Sequence, residues 1–168
     1  MSDITFKTDS GYFIHKAGAI IIHENKVLMV KNERHPFYYT VGGRVSVGET
    51  SETAVLREVF EETNINLEIE RLAFIHENFF ADNDSAFDAP CHEIALYYLM
   101  KAPSTEDITR MRCNSFGFGD VKEALHWLPL DKLTDYRLYP EFYKTELLNI
   151  KKEVRHFITN GGNTFRGK

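Results

Sequence analysis

The sequence predicts an α/β (α+β) fold, a mixed sandwich in which helices pack on a sheet. Short runs of β-branched and aromatic residues dominate the first third of the chain, at residues 18–23, 27–31 and 38–41. Residues 50–63 contain neither Gly nor Pro and have the composition of a helix. Because strands predominate early and helices follow them, the order does not fit a regular βαβ array.

The first predicted strands form a hairpin. Residues 18–23 are small or β-branched, Glu24-Asn25-Lys26 has the composition of a tight turn, and residues 27–31 resume the strand pattern. The next strand, residues 38–41, runs into Gly42-Gly43. Paired glycines there indicate that the chain turns or that another group approaches its backbone.

The predicted helix at residues 50–63 has a start signal and a stop signal. Thr50 or Ser51 can cap its N-terminus. Asn64 tolerates the left-handed conformation that commonly ends a helix.

The remaining elements follow from alternation and turn signals. Residues 67–80 and 93–100 alternate in polarity and predict a long antiparallel pair. We expect their polar, acidic connection, residues 81–91, to be a mobile loop that closes over bound substrate. Further along we expect a loop at 104–120, a strand at 126–130, an amphipathic helix at 140–150 with Phe142, Leu147 and Leu148 in the core, and a frayed tail at 161–168.

Composition restricts the class of protein. With 168 residues, 43% hydrophobic and 27% charged, the chain fits one soluble domain spanning residues 1–168. A net charge of −5 argues against a nucleic-acid-binding protein, although a metal ion would still allow a small anionic substrate. Cys91 and Cys113 show no metal-ligand spacing and are expected to be free thiols. No signal peptide or membrane segment is expected, and we predict a cytoplasmic protein.

The most informative segment is the acidic half of the predicted helix. At roughly 100° per residue, Glu58, Glu61 and Glu62 fall on one side. These carboxylates repel one another and lie where the helix dipole disfavours negative charge. A solvated acidic face is one interpretation, and a site for Mg²⁺ or Mn²⁺ is the other, because oxygen ligands favour a hard cation. The hydrophobic side, expected to pack in the core, carries Leu56, Val59 and Phe60.

The run GGRVSVGETSETAVLREVFEETNI resembles the signature of the Nudix hydrolases. Asn64 stands where the family has glycine, and Val41 replaces a proline that often precedes the paired glycines. The resemblance implies an α/β/α sandwich built on a mixed sheet, with a loop–helix–loop at the active site. The positions in register are Gly43, Glu49, Arg57, Glu58, Val59, Glu61, Glu62 and Ile65.

The resemblance also implies a metal site and a reaction. Glu58 and Glu62 would be the principal metal ligands, Glu61 would assist, and the carbonyl of Gly42 would complete the coordination of Mg²⁺ (or Mn²⁺). A pair between Arg57 and Glu49 would lock the loop to the helix. The reaction would be hydrolysis of a diphosphate linkage by in-line attack of water.

A general base is also required, and in this family it often lies outside the signature. Glu93 opens a predicted strand beside His92, and Glu123 is placed in a loop before Trp127. Family position favours Glu123, although either residue alone also fits a surface carboxylate. Glu49 and Glu61 remain as candidates within the signature.

Substrate contacts are predicted from residue type. Arg44 directly follows the glycines and can bind phosphate through paired donors. Phe37, Tyr38, Phe79 and Phe80 are candidates for stacking on a base, although aromatic residues in strands more often belong to the core.

The expected partner is a small nucleotide: a nucleoside diphosphate linked to another moiety, or a nucleoside triphosphate. A homodimer is possible. The rival interpretations are a non-catalytic nucleotide-binding sensor of the same fold and an isomerase, which would need a catalytic cysteine.

Overall fold

The computed structural model describes residues 2–81, 87–113, 116–117, 121–161 and 163–166. The strands are β1 (Thr5–Thr8), β2 (Gly11–Ile20), β3 (Ile22–His23), β4 (Lys26–Asn32), β5 (Tyr38–Arg44), β6 (Ile69–Phe80), β7 (Cys91–Met100), β8 (Phe116–Gly117), β9 (Val121–Pro129), β10 (Leu138–Tyr139), β11 (Arg155–Asn160) and β12 (Asn163–Arg166). The helices are α1 (Ser51–Thr63), α2 (Thr105–Arg110) and α3 (Tyr143–Glu146), with 3₁₀ segments at Leu130–Asp135 and Leu147–Asn149.

The strands form one mixed sheet in the order β12-β11-β6-β7-β2-β5-β4-β9-β8. β2 pairs with β7 in parallel and with β5 antiparallel, and β6 and β7 form the long antiparallel pair that the alternation predicts. Helical segments cover both faces, because α1 packs on one core and α3 with the 3₁₀ segments packs on the other. The expected mixed sandwich is confirmed.

Helix α1 begins and ends where the sequence predicts. The Thr50 side chain accepts a hydrogen bond from the Thr53 N–H, and Asn64 adopts a left-handed conformation (φ 60°) while its N–H donates to the Phe60 carbonyl. Asn replaces glycine at this position without disturbing the end of the helix, since it tolerates φ > 0 better than most residues.

The face that α1 buries is not the one expected. Leu56 and Phe60 are 38% and 46% exposed, whereas Ala54, Val55 and Val59 are fully buried. Glu62 lies on the same buried face, one turn beyond Val59. Glu58 and Glu62 therefore face the sheet, the expected burial of Val59 is confirmed, and the expected burial of Leu56 and Phe60 is wrong.

The C-terminal part differs from the expectation in three places. The helix expected at 140–150 is a single turn, α3, followed by a 3₁₀ segment, so Phe142 and Leu147 are buried but Leu148 is 58% exposed. The loop expected at 104–120 contains α2, which Ser104 and Asp107 cap reciprocally. The tail expected to be frayed includes β12, which pairs with β11.

Residues 82–86 of the loop expected to be mobile lie outside the described residues. In the described part of the chain, no helix has the length and apolar character needed to cross a bilayer.

Candidate active site

Gly42 and Gly43 let β5 approach two different neighbours. A Cβ on Gly42, where φ is +142°, would lie 2.3 Å from the Ala17 carbonyl oxygen of β2. A Cβ on Gly43 would lie 2.4 Å from Oε1 of Glu58. The first glycine therefore allows close strand pairing, and the second leaves the space that the Glu58 carboxylate occupies.

Glu62 is the most deeply buried carboxylate of the helix, with 7% of the residue exposed. Its Oε2 accepts a hydrogen bond from the Gly42 N–H at 3.2 Å. Burial raises the pKa of Glu62 well above its ordinary value, and repulsion by Glu123 and Glu58 raises it further. A carboxylate in this environment gains from a nearby cation.

Arg57 links the loop before α1 to the helix. Its guanidinium donates to both carboxylate oxygens of Glu49, at 3.0 and 3.1 Å, and to the Arg44 carbonyl at 3.1 Å. Glu49 also accepts from the Ser46 N–H, and hydrogen bonds from Arg57 lower the pKa of Glu49. The predicted pair between Arg57 and Glu49 is confirmed, and it occupies both oxygens of Glu49.

The same guanidinium also faces the other two helix carboxylates. Nη1 of Arg57 lies 2.6 Å from Oε1 of Glu58 and 3.2 Å from Oε2 of Glu61. Burial raises the pKa of Glu58, and Arg57 opposes that shift. The Glu61 side chain is 54% exposed. Glu58 is therefore partly buried, with 15% of its side chain exposed, and Glu61 lies at the rim.

Glu123 lies in strand β9, not in a loop, and faces α1. It pairs with Asn32 of β4 and is 7% exposed. Leu125 and Trp127 point to the same face of β9 as Glu123, and they pack against the core on the α1 side. Glu123 therefore lies on the sheet face that carries Glu62, and its charge contributes to the raised pKa of Glu62.

Glu93 faces the opposite side of the sheet. It shares the pleat of Ala95 and Tyr97, which belong to the core away from α1. Its nearest cation is Nζ of Lys16, at 3.9 Å. The structure therefore brings Glu123, and not Glu93, onto the face that carries Glu58 and Glu62.

The predicted substrate-binding residues lie in three different places. Arg44 is adjacent to the glycines, and its guanidinium contacts Asp3 at 3.5 Å and the Phe87 ring at 5.5 Å. Phe37 stacks on His35 and contacts Tyr39 edge to face.

Tyr38 and Phe80 lie away from the carboxylates. Tyr38 packs against the core opposite α1, where it contacts His126 and Tyr136. Phe80, with Phe79, lines a separate cavity of about 610 Å³. In the strand register this cavity is level with Tyr12, six residues along β2 from the partner of Gly42, or about 20 Å.

A second cavity, of about 640 Å³, includes Glu123 in its wall. Its basic lining comes from β4, the following turn and β9, and Lys31, Arg34, Lys122 and His126 in this lining are not predicted from the sequence. The sequence contains one signal for the turn in this lining, since asparagine favours Asx turns. In the structure Asn32 forms such a turn by accepting hydrogen bonds from the Arg34 and His35 N–H groups. The basic residues in this lining are Lys31, Arg34, His35, Lys122 and His126.

The carboxylates offer the oxygen ligands that a divalent cation prefers, but they do not form a complete coordination shell by themselves. Among the described residues, no three acidic, imidazole or thiol groups are arranged to hold an ion by themselves. Mg²⁺ typically uses one or two carboxylates and completes its octahedron with waters and substrate phosphates. Glu58, partly buried, and Glu62, buried, repel each other and supply such a partial set of oxygen ligands.

Comparisons with known proteins identify the family of the chain. A family model described as the NUDIX domain matches residues 14–146. The crystal structure of a MutT NUDIX hydrolase from Burkholderia pseudomallei is 31% identical, with a TM-score of 0.55 over 71% of this chain and 84% of that one. A mutator MutT protein from Bacillus halodurans superposes with a TM-score of 0.62 over 90% of this chain and 94% of that one, at 16% identity.

Two curated relatives match over shorter segments. An ADP-ribose pyrophosphatase from Methanocaldococcus jannaschii is 36% identical over 72 residues, which cover 39% of this chain and 43% of that protein. A MutT-like protein from Streptomyces ambofaciens is 32% identical over 62 residues, or 37% and 40%. The chain thus spans about two fifths of the length of these relatives. The family match covers most of the described sheet and the whole of α1, and the chain belongs to the NUDIX family.

Proposed function

We propose that the protein is a pyrophosphohydrolase that depends on a divalent cation, Mg²⁺ or Mn²⁺. Its substrate would be a small nucleotide, either a nucleoside diphosphate linked to another moiety or a nucleoside triphosphate. The observation that carries the proposal is the placement of the partly buried Glu58 and the buried Glu62 against the two glycines of β5, in a chain of the NUDIX family. Two carboxylates removed from water beside each other oppose folding, so a functional role explains them best.

The residues divide into three tasks. Glu58 and Glu62 would hold the cation, with Glu61 assisting from the rim and the Gly42 carbonyl as a further oxygen ligand. When bound, the cation supplies charge neutralisation of the diphosphate and activation of water. Arg57 keeps Glu58 in place, holds the loop before α1 through Glu49, and binds the Arg44 carbonyl at the end of β5 directly.

Glu123 is the favoured general base. It lies on the same face as Glu62, and a base must reach the attacking water directly or through one more water. Glu61 is a weaker candidate because it is exposed, Glu49 because Arg57 occupies both its oxygens, and Glu93 because it faces the other side of the sheet.

The substrate contacts are assigned by distance from the carboxylates. Arg44 would bind a phosphate, and Phe37 would contact the base or ribose beside the cavity that includes Glu123. Tyr38 and Phe80 have weaker claims, since one packs in the opposite core and the other lines the remote cavity.

A panel assay tests the proposal. Purified protein is incubated with Mg²⁺ or Mn²⁺ and ADP-ribose, other nucleoside diphosphate derivatives or nucleoside triphosphates, and released phosphate and pyrophosphate are measured. We expect turnover of at least one substrate, lost in excess chelator and in Glu62→Gln. Tight nucleotide binding by calorimetry without turnover would instead support the non-catalytic sensor.

A further inference from the structure

A series of partly buried hydrogen bonds ends on Glu123. The Arg34 and His35 N–H groups donate to Oδ1 of Asn32 at 3.1 and 2.9 Å. Nδ2 of Asn32 donates to the Tyr39 hydroxyl at 3.2 Å, and that hydroxyl donates to Oε1 of Glu123 at 2.5 Å. Every donor in the chain points toward the carboxylate.

The side chains in this series of hydrogen bonds come from adjacent strands. Asn32 of β4 pairs with Glu123 of β9, and Val30, two residues earlier on β4, pairs with Tyr39 of β5. Asn32 and Glu123 are each 7% exposed, and Tyr39 packs against the core on the α1 side. Side chains on neighbouring strands of a packed sheet have little freedom, so this series of hydrogen bonds has a fixed geometry.

A structural role alone explains this arrangement poorly. Glu123 is buried near Glu62, and two like charges in one buried cluster repel each other. Glutamine at position 123 would accept the same hydrogen bond from Tyr39 without that repulsion. A carboxylate kept in this cluster despite the repulsion suits a general base, and the Tyr39 hydroxyl holds it in one orientation.

We propose that Tyr39, anchored by Asn32, is a positioning residue that holds the Glu123 carboxylate in the orientation required for hydrolysis. The inference rests on the proposed function. A general base must lie about 2.6–3.2 Å from the group whose proton it accepts, or reach that group through one water. A glutamate side chain has three torsions, and a donor bound to one carboxylate oxygen fixes the last of them.

Tyr39→Phe tests the inference because it removes the hydroxyl and keeps the ring. We expect kcat to fall about 10- to 100-fold, the range for a lost hydrogen bond to a charged group. KM and the affinity for Mn²⁺, measured by titration without substrate, should stay within about twofold, because the cation ligands are untouched. A purely structural role would lower thermal stability and leave kcat of the folded protein unchanged.

Tyr12→Phe is the matched control. Its hydroxyl also donates to a carboxylate, Oδ1 of Asp88 at 2.8 Å, but on the exposed surface. The same chemical change there should leave kcat unchanged. If Tyr39→Phe is folded and has wild-type kcat, the positioning role is overturned.

A double-mutant cycle asks whether Tyr39 acts through Glu123. Glu123→Gln removes the charge, and adding Tyr39→Phe should then change kcat by less than about twofold. Independent effects that multiply would overturn the inference. If Tyr39→Phe does not fold, Asn32→Asp replaces it, since it keeps the oxygen that holds the turn and removes the donor to Tyr39. A wild-type rate for that variant would likewise overturn the inference.

The failure of this inference differs from failure of the proposed function. Wild-type protein that hydrolyses nothing in the panel overturns both. Wild-type protein that is active and chelator-sensitive, with Tyr39→Phe equally active, overturns the positioning role alone.

Discussion

Gly43→Ala is the smallest change that disturbs the proposed cation site. The added Cβ would lie 2.4 Å from Oε1, 2.5 Å from Cδ and 2.7 Å from Oε2 of Glu58. Gly43 does not have a positive φ, so alanine fits its backbone conformation. The conflict is therefore confined to one methyl group and one carboxylate.

The size of the effect follows from that overlap. Ordinary contact begins at 3.4 Å, so the Glu58 carboxylate must move by about 1 Å. Because the carboxylate is the far end of a flexible side chain, the movement costs little stability. Misplacing a catalytic group by about 1 Å costs on the order of 100-fold in rate, equivalent to about 2.7 kcal/mol of transition-state stabilisation.

The assay compares kcat and the thermal midpoint of Gly43→Ala and Gly48→Ala. Gly48 has a φ of +83° and open space around its Cβ position, so alanine there strains the backbone without touching the carboxylates. We expect Gly48→Ala to lose about 1–2 kcal/mol of stability and keep its kcat. Gly43→Ala should lose activity and keep its midpoint within about 2 °C. Gly43→Ala with wild-type kcat would refute the placement of Glu58 in the site.

Three other perturbations test the electrostatics. Glu62→Gln should lower kcat at least about 100-fold while raising the unfolding midpoint of the cation-free protein, because it removes a buried, repelled charge. Because the pKa of Glu62 is raised in the folded state, the free energy of unfolding of the cation-free protein should fall as pH rises through and above 4.5. Urea unfolding at a series of pH values should show this fall, and Mg²⁺ should reduce it. Arg57→Ala leaves the buried Glu49 unpaired and should cost roughly 3 kcal/mol in denaturant unfolding. The pKa of His76 is lowered to about 4, so stability should fall as pH drops from 6.5 toward 4, and His76→Gln should reduce that loss.

Local signals predicted the elements with the most accurate boundaries. Helix α1 needs only Thr50, an uninterrupted run of helix formers and Asn64, and all three act within a few residues of one another. The turn at Glu24 and Asn25 is similar, because both residues adopt the positive φ that such a turn requires. The single-turn α3 was predicted too long, since packing of Phe142 and Leu147 against the opposite core, and not helix propensity, sets its geometry.

The orientation of α1 depends on a long-range contact that periodicity does not contain. By polarity alone, Leu56 and Phe60 belong inside and Glu62 outside. The glycines of β5 reverse this assignment, because Gly43 has no side chain to exclude Glu58 and the Gly42 N–H supplies a donor to Glu62. The sequence indicates that some group approaches the paired glycines, but only the fold shows that this group is the pair of carboxylates Glu58 and Glu62.

The choice between Glu93 and Glu123 shows the same limit in a β-sheet. Each glutamate alternates with hydrophobic residues, Glu93 with Ala95 and Tyr97 and Glu123 with Leu125 and Trp127. The sequence predicted a loop around Glu123, whereas the structure places each glutamate on a strand face that it shares with those hydrophobic residues. The sequence does not say which core each face meets, and only one of the two glutamates lies beneath α1. Glu123 is distinguished because its strand places it beside Asn32 and Tyr39, and residues 84 positions apart meet there in one hydrogen bond.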